Sequence, residues 1–320
     1  MTAHQFLTRN RIPVMVTAIC ALLFLVYIIG APQTFLLSGI YAALMGTVAF
    51  SGILAIAATF IVTLGEIDLS FPSIMGLSAY VFAYLYSTEG SFLLAMIACL
   101  AVGLVLGWFN GIVITKIGVP SIVLTIGTMF LWRGLVHVLV QGQSISLFEM
   151  DGTIWNSLMV GKIAGYLPAQ FVWFIAIAVA LGLVYRKHRF GSHVLFVGDN
   201  AASARMVGID TDMVKIKCFM LMGFMASVAG LLSLAFNQSF FPTHGDSMLL
   251  PTLAAVFIGG TSVFGGKGTI WGTFMGVLIM GSLETGIVSL GLTGFWYQFI
   301  AGLTIVASVV AYALLLKKVG

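Results

Sequence analysis

Two carboxylates, Glu66 and Asp68, lie between two apolar stretches that are each long enough to cross a membrane. A charge at membrane depth is costly, so it normally faces a cavity, a partner or a transport path. Gly65 and Pro72 can open a helix there and free backbone groups to line a polar passage. The pattern predicts an element that lines a substrate path or a gate and includes Ser70. The alternative, which the order of the spans slightly favours, is a cytoplasmic turn with Asp68 capping the next helix.

Further polar side chains lie in or near the ends of apolar runs, where they can bond a polyhydroxylated solute. These additional candidates for the path are Asn110, Arg133, Asn237, Gln238 and His244. Each also has an ordinary interpretation. Arg133 can snorkel to the headgroups as an interfacial anchor, and the others can satisfy backbone groups at a helix terminus.

The glycine-rich run from Gly259 to Gly268 invites comparison with a phosphate-binding loop. Such a loop needs a glycine, four residues and then Gly-Lys-Ser/Thr. Counting back from Lys267 puts Thr261 at the first glycine, and Gly268 takes the place of the hydroxyl residue. The motif fails twice, so the chain carries no nucleotide site of this kind. No nucleophile–base pair or metal-ligand cluster stands out in the sequence, which argues against a membrane enzyme.

The amino-acid composition indicates that the chain is a membrane protein. Of the residues, 60% are hydrophobic and 8% charged, against about a quarter charged in a typical soluble domain. Lipid must therefore cover part of the chain. The basic residues are scattered over loop ends without interleaved aromatic residues, which excludes a nucleic-acid surface. Cys20, Cys99 and Cys218 fall in apolar segments and are interpreted as small core residues.

The apolar runs predict an all-α polytopic protein with about ten transmembrane helices. The expected spans are 14–31, 38–64, 72–88, 92–115, 119–140, 167–185, 214–236, 247–264, 268–290 and 293–316. With the amino terminus inside, twelve of the fourteen Lys and Arg residues, including Arg9 and Lys318, lie on the cytoplasmic side. Both termini are therefore predicted to be cytoplasmic, and the first helix is expected to remain uncleaved. The long second span contains Gly46 and Gly52 and is expected to be tilted, kinked or split.

Spans 2–5 and spans 7–10 run in opposite directions, which is the layout of an inverted repeat. Ser70-Phe71-Pro72 and Phe240-Phe241-Pro242 occupy corresponding places before spans 3 and 8. Gly103, Gly107 and Gly111 recur on one helix face, a spacing that favours close helix packing within one subunit over a dimer seam. The whole chain, 1–320, is interpreted as one transmembrane domain.

Two polar segments interrupt the spans. The segment from Arg186 to Lys217, here the coupling segment, holds six of the fourteen Lys and Arg residues and is predicted to be cytoplasmic. It is long enough to fold into a docking surface for a cytoplasmic partner. The loop over 141–168 is the largest outer segment, and it is expected to form an interfacial cap.

Three motifs resemble one family, the membrane permeases of bacterial ATP-binding-cassette importers for monosaccharides, a ribose-type branch related to branched-chain amino acid permeases. They are Gly65-Glu66-Ile67-Asp68-Leu69-Ser70, the run from Val197 to Ile209, and the run from Ile258 to Thr269. The resemblance covers nearly the whole chain. Glu66 stands where relatives have glycine, and Phe71-Pro72 where they usually have Val-Gly. A carboxylate in this element can change the ligand preference.

The resemblance implies a mechanism in which a separate ATPase subunit, using ATP and magnesium, pushes on a short helix of the coupling segment. The residues it implies for that contact are Gly198, Asn200, Ala201, Ala202, Ala204, Arg205, Gly208 and Ile209. It also implies a second permease subunit, identical or paralogous, and a periplasmic binding protein that delivers the solute. This chain itself would carry no cofactor and would lie in the bacterial inner membrane.

Other functions stay open at this point. Within the importer class, the solute could be an amino acid or a nucleoside instead of a sugar. In a different class, a secondary transporter could use Glu66 and Asp68 for proton or sodium coupling. The coupling segment argues against that class, since a secondary carrier has no need of a docking helix.

Overall fold

The computed structural model describes residues 11–317, which are predominantly helical. Arg9 and Lys318, which enter the predicted orientation, lie outside this range. The helices are α1 Arg11–Gly30, α2 Pro32–Phe35, α3 Ser38–Thr63, α4 Phe71–Glu89, α5 Phe92–Ile112, α6 Ser121–Val140, α7 Ile154–Val160, α8 Ala169–Lys187, α9 Arg189–Asp199, α10 Ala201–Met206, α11 Thr211–Asn237, α12 Leu249–Ile258, α13 Ile270–Ser289 and α14 Trp296–Lys317.

Short irregular elements complete the described part. A π-helical turn, Val113–Ile117, extends α5, and 3-10 turns cover Phe148–Met150 and Asp246–Met248. The strands are β1 Ile145–Ser146, β2 Lys162–Ile163, β3 Leu167–Pro168 and β4 Ser239–Phe240. β1 pairs antiparallel with β4, and β2 pairs antiparallel with β3. The 141–168 loop is therefore tied by β1 to the chain that follows α11.

Seven helices within residues 11–317 are long and apolar enough to cross a membrane: α1, α3, α5 with its π-helical turn, α6, α8, α11 and α13. The chain is thus a helical, polytopic membrane protein. Helices α4, α12 and α14 occupy three further predicted spans; of these, α12 is the short one, with 10 residues, and α14 has 22. The prediction of one span over 247–264 is wrong in extent, because α12 ends at Ile258 and Gly260 adopts a left-handed backbone with φ of +82°.

Helix α3 is continuous over 26 residues, which corresponds to a length of about 39 Å. Gly46 and Gly52 therefore do not split it. Gly52 instead lets the ring of Phe174 lie against the helix, since a Cβ there would come within 2.6 Å of that ring. Of the three expected alternatives, a tilt, a kink or a split, the split is wrong, because the helix runs unbroken through both glycines.

Helices α3 and α11 form the centre of the molecule. Helix α3 packs against α8, α11, α12 and α13, and α11 packs against α3, α4 and α5. Both central helices are largely buried, whereas α1 and α6 expose most of their apolar surface. The three cysteines are free thiols in the buried interior, as predicted.

The repeated glycines of α5 face α11, which confirms the prediction of tight packing within one subunit. The contacts are Gly103 with Gly223 and Ser227, Gly107 with Phe219, and Gly111 with Ile216. A Cβ on Gly111 would lie 2.8 Å from the Cα of Ile216. Backbones this close leave no room for larger side chains, so the seam fixes α5 against the central helix α11.

Candidate functional site

The chain between α3 and α4 has no regular secondary structure. Gly65, with φ of +75°, turns the backbone out of α3, and residues 66–70 stay irregular until α4 begins at Phe71. Helix α6 holds this segment at two points. The backbone N–H of Ile67 donates to the hydroxyl of Ser121 at 3.2 Å, and the hydroxyl of Thr125 donates to the carbonyl of Ile67 at 3.4 Å.

Three of the predicted path residues, Asp68, Ser70 and Asn110, form one buried polar cluster, here called the inner network. Asp68 Oδ1 accepts hydrogen bonds from the backbone N–H of Ser70 at 2.7 Å and from its hydroxyl at 2.6 Å. Asn110, on α5, donates its side-chain N–H to the Ser70 hydroxyl oxygen at 2.8 Å. Asp68 is only 3% exposed, and it accepts the N–H of the residue that directly precedes α4.

The inner network keeps spare hydrogen-bonding capacity. Within residues 11–317, neither Asp68 Oδ2 nor Asn110 Oδ1 has a hydrogen-bond partner, although both atoms are buried. Buried acceptors without donors cost free energy. Both oxygens can therefore accept hydrogen bonds from hydroxyl groups that enter this region.

Glu66 is not part of the inner network and forms an ion pair with Lys215. Lys215 lies in the second turn of α11 and within the coupling segment. Both side chains are mostly buried. The carboxylate that replaces the glycine of the resembling family therefore ties the irregular segment to the first two turns of α11.

Arg133 organises a second cluster, here called the arginine cluster. It lies twelve residues into α6, which is about 18 Å from the start of the helix. Its Nη1 donates to the carbonyls of Pro242 at 2.7 Å and His244 at 3.0 Å, and its Nη2 donates to the carbonyl of Pro72 at 3.0 Å. Nη2 also forms an ion pair with Asp246.

The arginine cluster corrects one interpretation from the sequence. A side chain that snorkels to the headgroups is exposed and bonded to lipid, whereas that of Arg133 is 11% exposed and bonded to protein carbonyls. The anchor interpretation is therefore wrong. His244 belongs to the cluster through its carbonyl, and its own side chain is buried.

The same arginine joins two helix starts. Pro72 is the second residue of α4, and Pro242 and His244 precede the 3-10 turn that leads into α12. These two places are the ones that the sequence pairs as Ser70-Phe71-Pro72 and Phe240-Phe241-Pro242. One guanidinium therefore bonds the carbonyl of the proline at both of them.

Asn237 and Gln238 have the ordinary role that the sequence left open. Asn237 donates its side-chain N–H to the carbonyl of Ser233 at 2.8 Å. Gln238 ends α11 with φ of +52°, and its carbonyl accepts the N–H of Leu147 at 2.9 Å. In the described part of the chain, neither side chain bonds to the inner network or to the arginine cluster.

The coupling segment contains two short helices, of which α9 docks on the end of α3 and α10 packs against α9 and α11. A Cβ at Gly198 would overlap the carbonyl of Thr63 and lie 2.8 Å from the nitrogen of Gly266. The Gly266 N–H donates to the same Thr63 carbonyl at 2.8 Å. The sequence did not reveal this meeting of Gly198 with the glycine-rich run. The glycines at positions 65, 265 and 266 are the only trace of it in the sequence. In the structure all three adopt a left-handed backbone, which suits close backbone contact.

Helix α10 confirms the short helix predicted within 200–208. The Asn200 side chain accepts the N–H of Ser203 at 2.9 Å and so caps the helix. Gly208, with φ of +83°, ends it, and the Ile209 N–H bonds back to the Ala204 carbonyl. Ala201 is partly buried and Ala202 is exposed.

The tip of α10 presents apolar side chains to its surroundings. Met206 is 81% exposed and Val207 76%. Behind them, Ala204 packs inward, and Arg205 bonds the hydroxyl of Thr211 at 2.6 Å and the carboxylate of Asp212 at 3.0 Å. The helix is therefore fixed from behind while its tip is left uncovered by the described residues.

The helical bundle, with its buried polar clusters and a short helix whose apolar tip is exposed, has the features expected of the membrane subunit of a transporter. The chain belongs to the branched-chain amino acid transport system permease component family, whose model matches residues 40–309. It is 32% identical over 297 residues to the ribose import permease protein RbsC of Escherichia coli, covering 91% of each chain. It is 32% identical over 309 residues to the autoinducer 2 import system permease protein LsrC of Yersinia enterocolitica, covering 96% of this chain and 84% of that one.

A third relative, the ribose import permease protein RbsC of Haemophilus influenzae, is 30% identical over 295 residues, with 91% of this chain and 90% of that one covered. No solved structure gives a significant match. The family confirms the resemblance drawn from the three motifs. The chain is accordingly a multi-pass permease of the bacterial inner membrane, and its class implies an ATPase and a substrate-binding protein as partners.

Replacing Asp68 with asparagine is expected to reduce uptake about tenfold, since hydrogen bonds to a charged group contribute about 1.5–3 kcal/mol. The asparagine keeps the size of the side chain but loses one acceptor oxygen. Uptake into proteoliposomes and the amount of folded protein in the membrane are the two measurements. Glu89→Gln, at an exposed carboxylate at the end of α4, is the matched control. Undiminished uptake by Asp68→Asn would show that the inner network is structural only.

Proposed function

We propose that this chain forms the translocation path of an importer for a monosaccharide-sized, polyhydroxylated solute. The observation that carries the proposal is the inner network, in which two buried acceptor oxygens, Asp68 Oδ2 and Asn110 Oδ1, face no donor among residues 11–317. Hydroxyl groups of a sugar can supply such donors in passing. Two relatives named for ribose import support the same solute class.

The proposed topology has ten spans, with both termini cytoplasmic and two inverted halves. The two central helices α3 and α11, each followed by an interruption and a new helix start, support the repeat. The hydrogen bonds from Arg133 support the repeat further, because the guanidinium bonds the carbonyl of the corresponding proline, Pro72 or Pro242, at each interruption. In this topology the 141–168 loop covers the outer side, and the coupling segment faces the cytoplasm.

We propose that the ATPase subunit drives transport mechanically, by moving α10. The exposed tip of α10, Met206 with Val207, seats in a groove of the ATPase subunit, and Gly198 transmits its displacement to the end of α3. Two permease subunits, identical or paralogous, enclose the path, and a periplasmic binding protein delivers the solute. Ion coupling through Glu66 is disfavoured, since that carboxylate is already paired with Lys215.

Reconstitution of the gently purified native complex tests the solute and the energy source together. We expect ATP inside proteoliposomes to drive uptake of labelled ribose with its binding protein outside, in the absence of an ion gradient. Labelled leucine and a labelled nucleoside are the competing solutes. Uptake of either in place of ribose would reassign the solute, and uptake that follows an ion gradient without ATP would overturn the importer mechanism.

A further inference from the structure

An apolar groove of about 570 Å³ lies on the side of the helical bundle, between α5, α8 and α11 and bounded at one end by the start of α9. Its walls include Leu104, Leu181, Val184 and Phe224. At its end lie two basic groups, Lys217 of α11 and His188 at the start of α9. No acidic side chain is among the described residues that line it.

The direction of the groove follows from the helices. Lys217 and Phe224 are seven residues apart on α11, which corresponds to about 10 Å along the helix axis. The basic end belongs to the coupling segment and the apolar part runs along the bundle toward mid-membrane. A groove of this shape matches a molecule with a charged head and an apolar tail.

The chemistry of the basic end favours a phosphate head. His188 Nδ1 accepts the backbone N–H of Phe190 at 3.1 Å, so its Nε2 is the nitrogen that carries hydrogen toward other groups. Lys217 is exposed and forms no salt bridge with any residue from 11 to 317. Arg186, Lys187 and Arg189 flank His188, are exposed and are likewise unpaired in that range.

We propose that this groove binds an anionic diacyl phospholipid of the cytoplasmic leaflet, with its phosphate at Lys217 and His188 and an acyl chain along the apolar walls. Basic pockets between transmembrane helices on the cytoplasmic side bind anionic headgroups. The unpaired basic cluster argues for lipid over a second protein chain, because an apolar protein surface would leave these charges uncompensated. The leaflet assignment rests on the proposed topology, whereas the binding itself does not depend on transport.

Native mass spectrometry of the intact chain, released from nanodiscs that contain phosphatidylglycerol and phosphatidylcholine, tests the proposal. We expect retained phosphatidylglycerol in the wild type and about fivefold weaker retention in Lys217→Gln, the effect of one basic residue near a membrane surface. Phosphatidylcholine retention should not change. Lys162→Gln, at an exposed lysine on the 141–168 loop, is the matched control.

A second variant separates the site from general surface charge. Leu181→Trp fills the apolar wall without altering charge and should displace the same lipid. Equal phosphatidylglycerol retention in Lys217→Gln and the wild type would overturn the proposal. So would disulfide cross-linking between two copies that carry Met220→Cys, since the groove would then be an interface between chains.

Discussion

Replacing Arg133 with alanine is expected to reduce uptake on the order of a hundredfold. The substitution leaves the carbonyls of Pro72, Pro242 and His244 without their donor and Asp246 without its partner. Each hydrogen bond from a charged donor contributes about 1.5–3 kcal/mol, whereas the pair with Asp246 adds little because that side chain is 51% exposed. Since the arginine joins the starts of two helices, both are expected to shift together, and uptake into proteoliposomes measures the consequence.

Lysine at the same position separates charge from geometry. An ammonium can pair with Asp246 but cannot present the planar fork that reaches carbonyls on two helices. Arg133→Lys is therefore expected to fall between the wild type and Arg133→Ala, in uptake and in thermal stability in detergent. Lys162→Ala, at an exposed lysine of the 141–168 loop, should behave as the wild type. Full uptake by Arg133→Ala would show that the two helix starts hold their positions without the arginine.

Introducing glutamate at both Met206 and Val207 is expected to abolish coupling while leaving the permease folded. Both side chains are exposed, so the change removes no internal packing. At an interface with the ATPase it would bury two unpaired charges, and we expect a loss of ATP-driven uptake on the order of a hundredfold. The ratio of solute imported to ATP hydrolysed, in the reconstituted complex, is the measurement.

The control for this double variant is Ile163→Glu, a comparable change at an exposed apolar residue on the 141–168 loop. Ala202→Glu tests the same surface at an exposed alanine of α10. Ala204→Glu is less informative, because Ala204 is 3% exposed and a glutamate there would also disturb packing. Normal coupling in the Met206 and Val207 variant would move the contact with the ATPase away from the tip of α10.

The sequence predicted the helices well because their apolar runs have a clear length and period. The short helix after Asn200 was predicted from the family resemblance, and the structure shows its physical basis in the Asn200 cap and the left-handed Gly208. The extent of the eighth span was wrong, because glycines end α12 early while apolar residues continue beyond it. Hydrophobicity measures how well a segment tolerates lipid, and it is a poor guide to where a helix stops inside a protein.

The site was harder to predict than the fold. Asp68 and Ser70 are neighbours in the sequence, yet Asn110 joins them from another helix, and Lys215 reaches Glu66 across 149 positions. Arg133 posed the same difficulty, because its partners are backbone carbonyls, which every residue has. A sequence reveals which side chains are unusual at membrane depth, whereas their partners depend on how distant helices pack.

The long separation between Arg133 and its partners has a consequence for biogenesis. Pro242 and His244 follow Arg133 by 109 and 111 residues, so α6 leaves the ribosome well before the groups that will accept hydrogen bonds from its guanidinium. An unpartnered arginine is costly in the bilayer during stepwise insertion. We therefore expect helix α6 to stay beside the insertion machinery, or at the water interface, until α12 arrives. Assembly of the second half of the permease thus completes the insertion of the first.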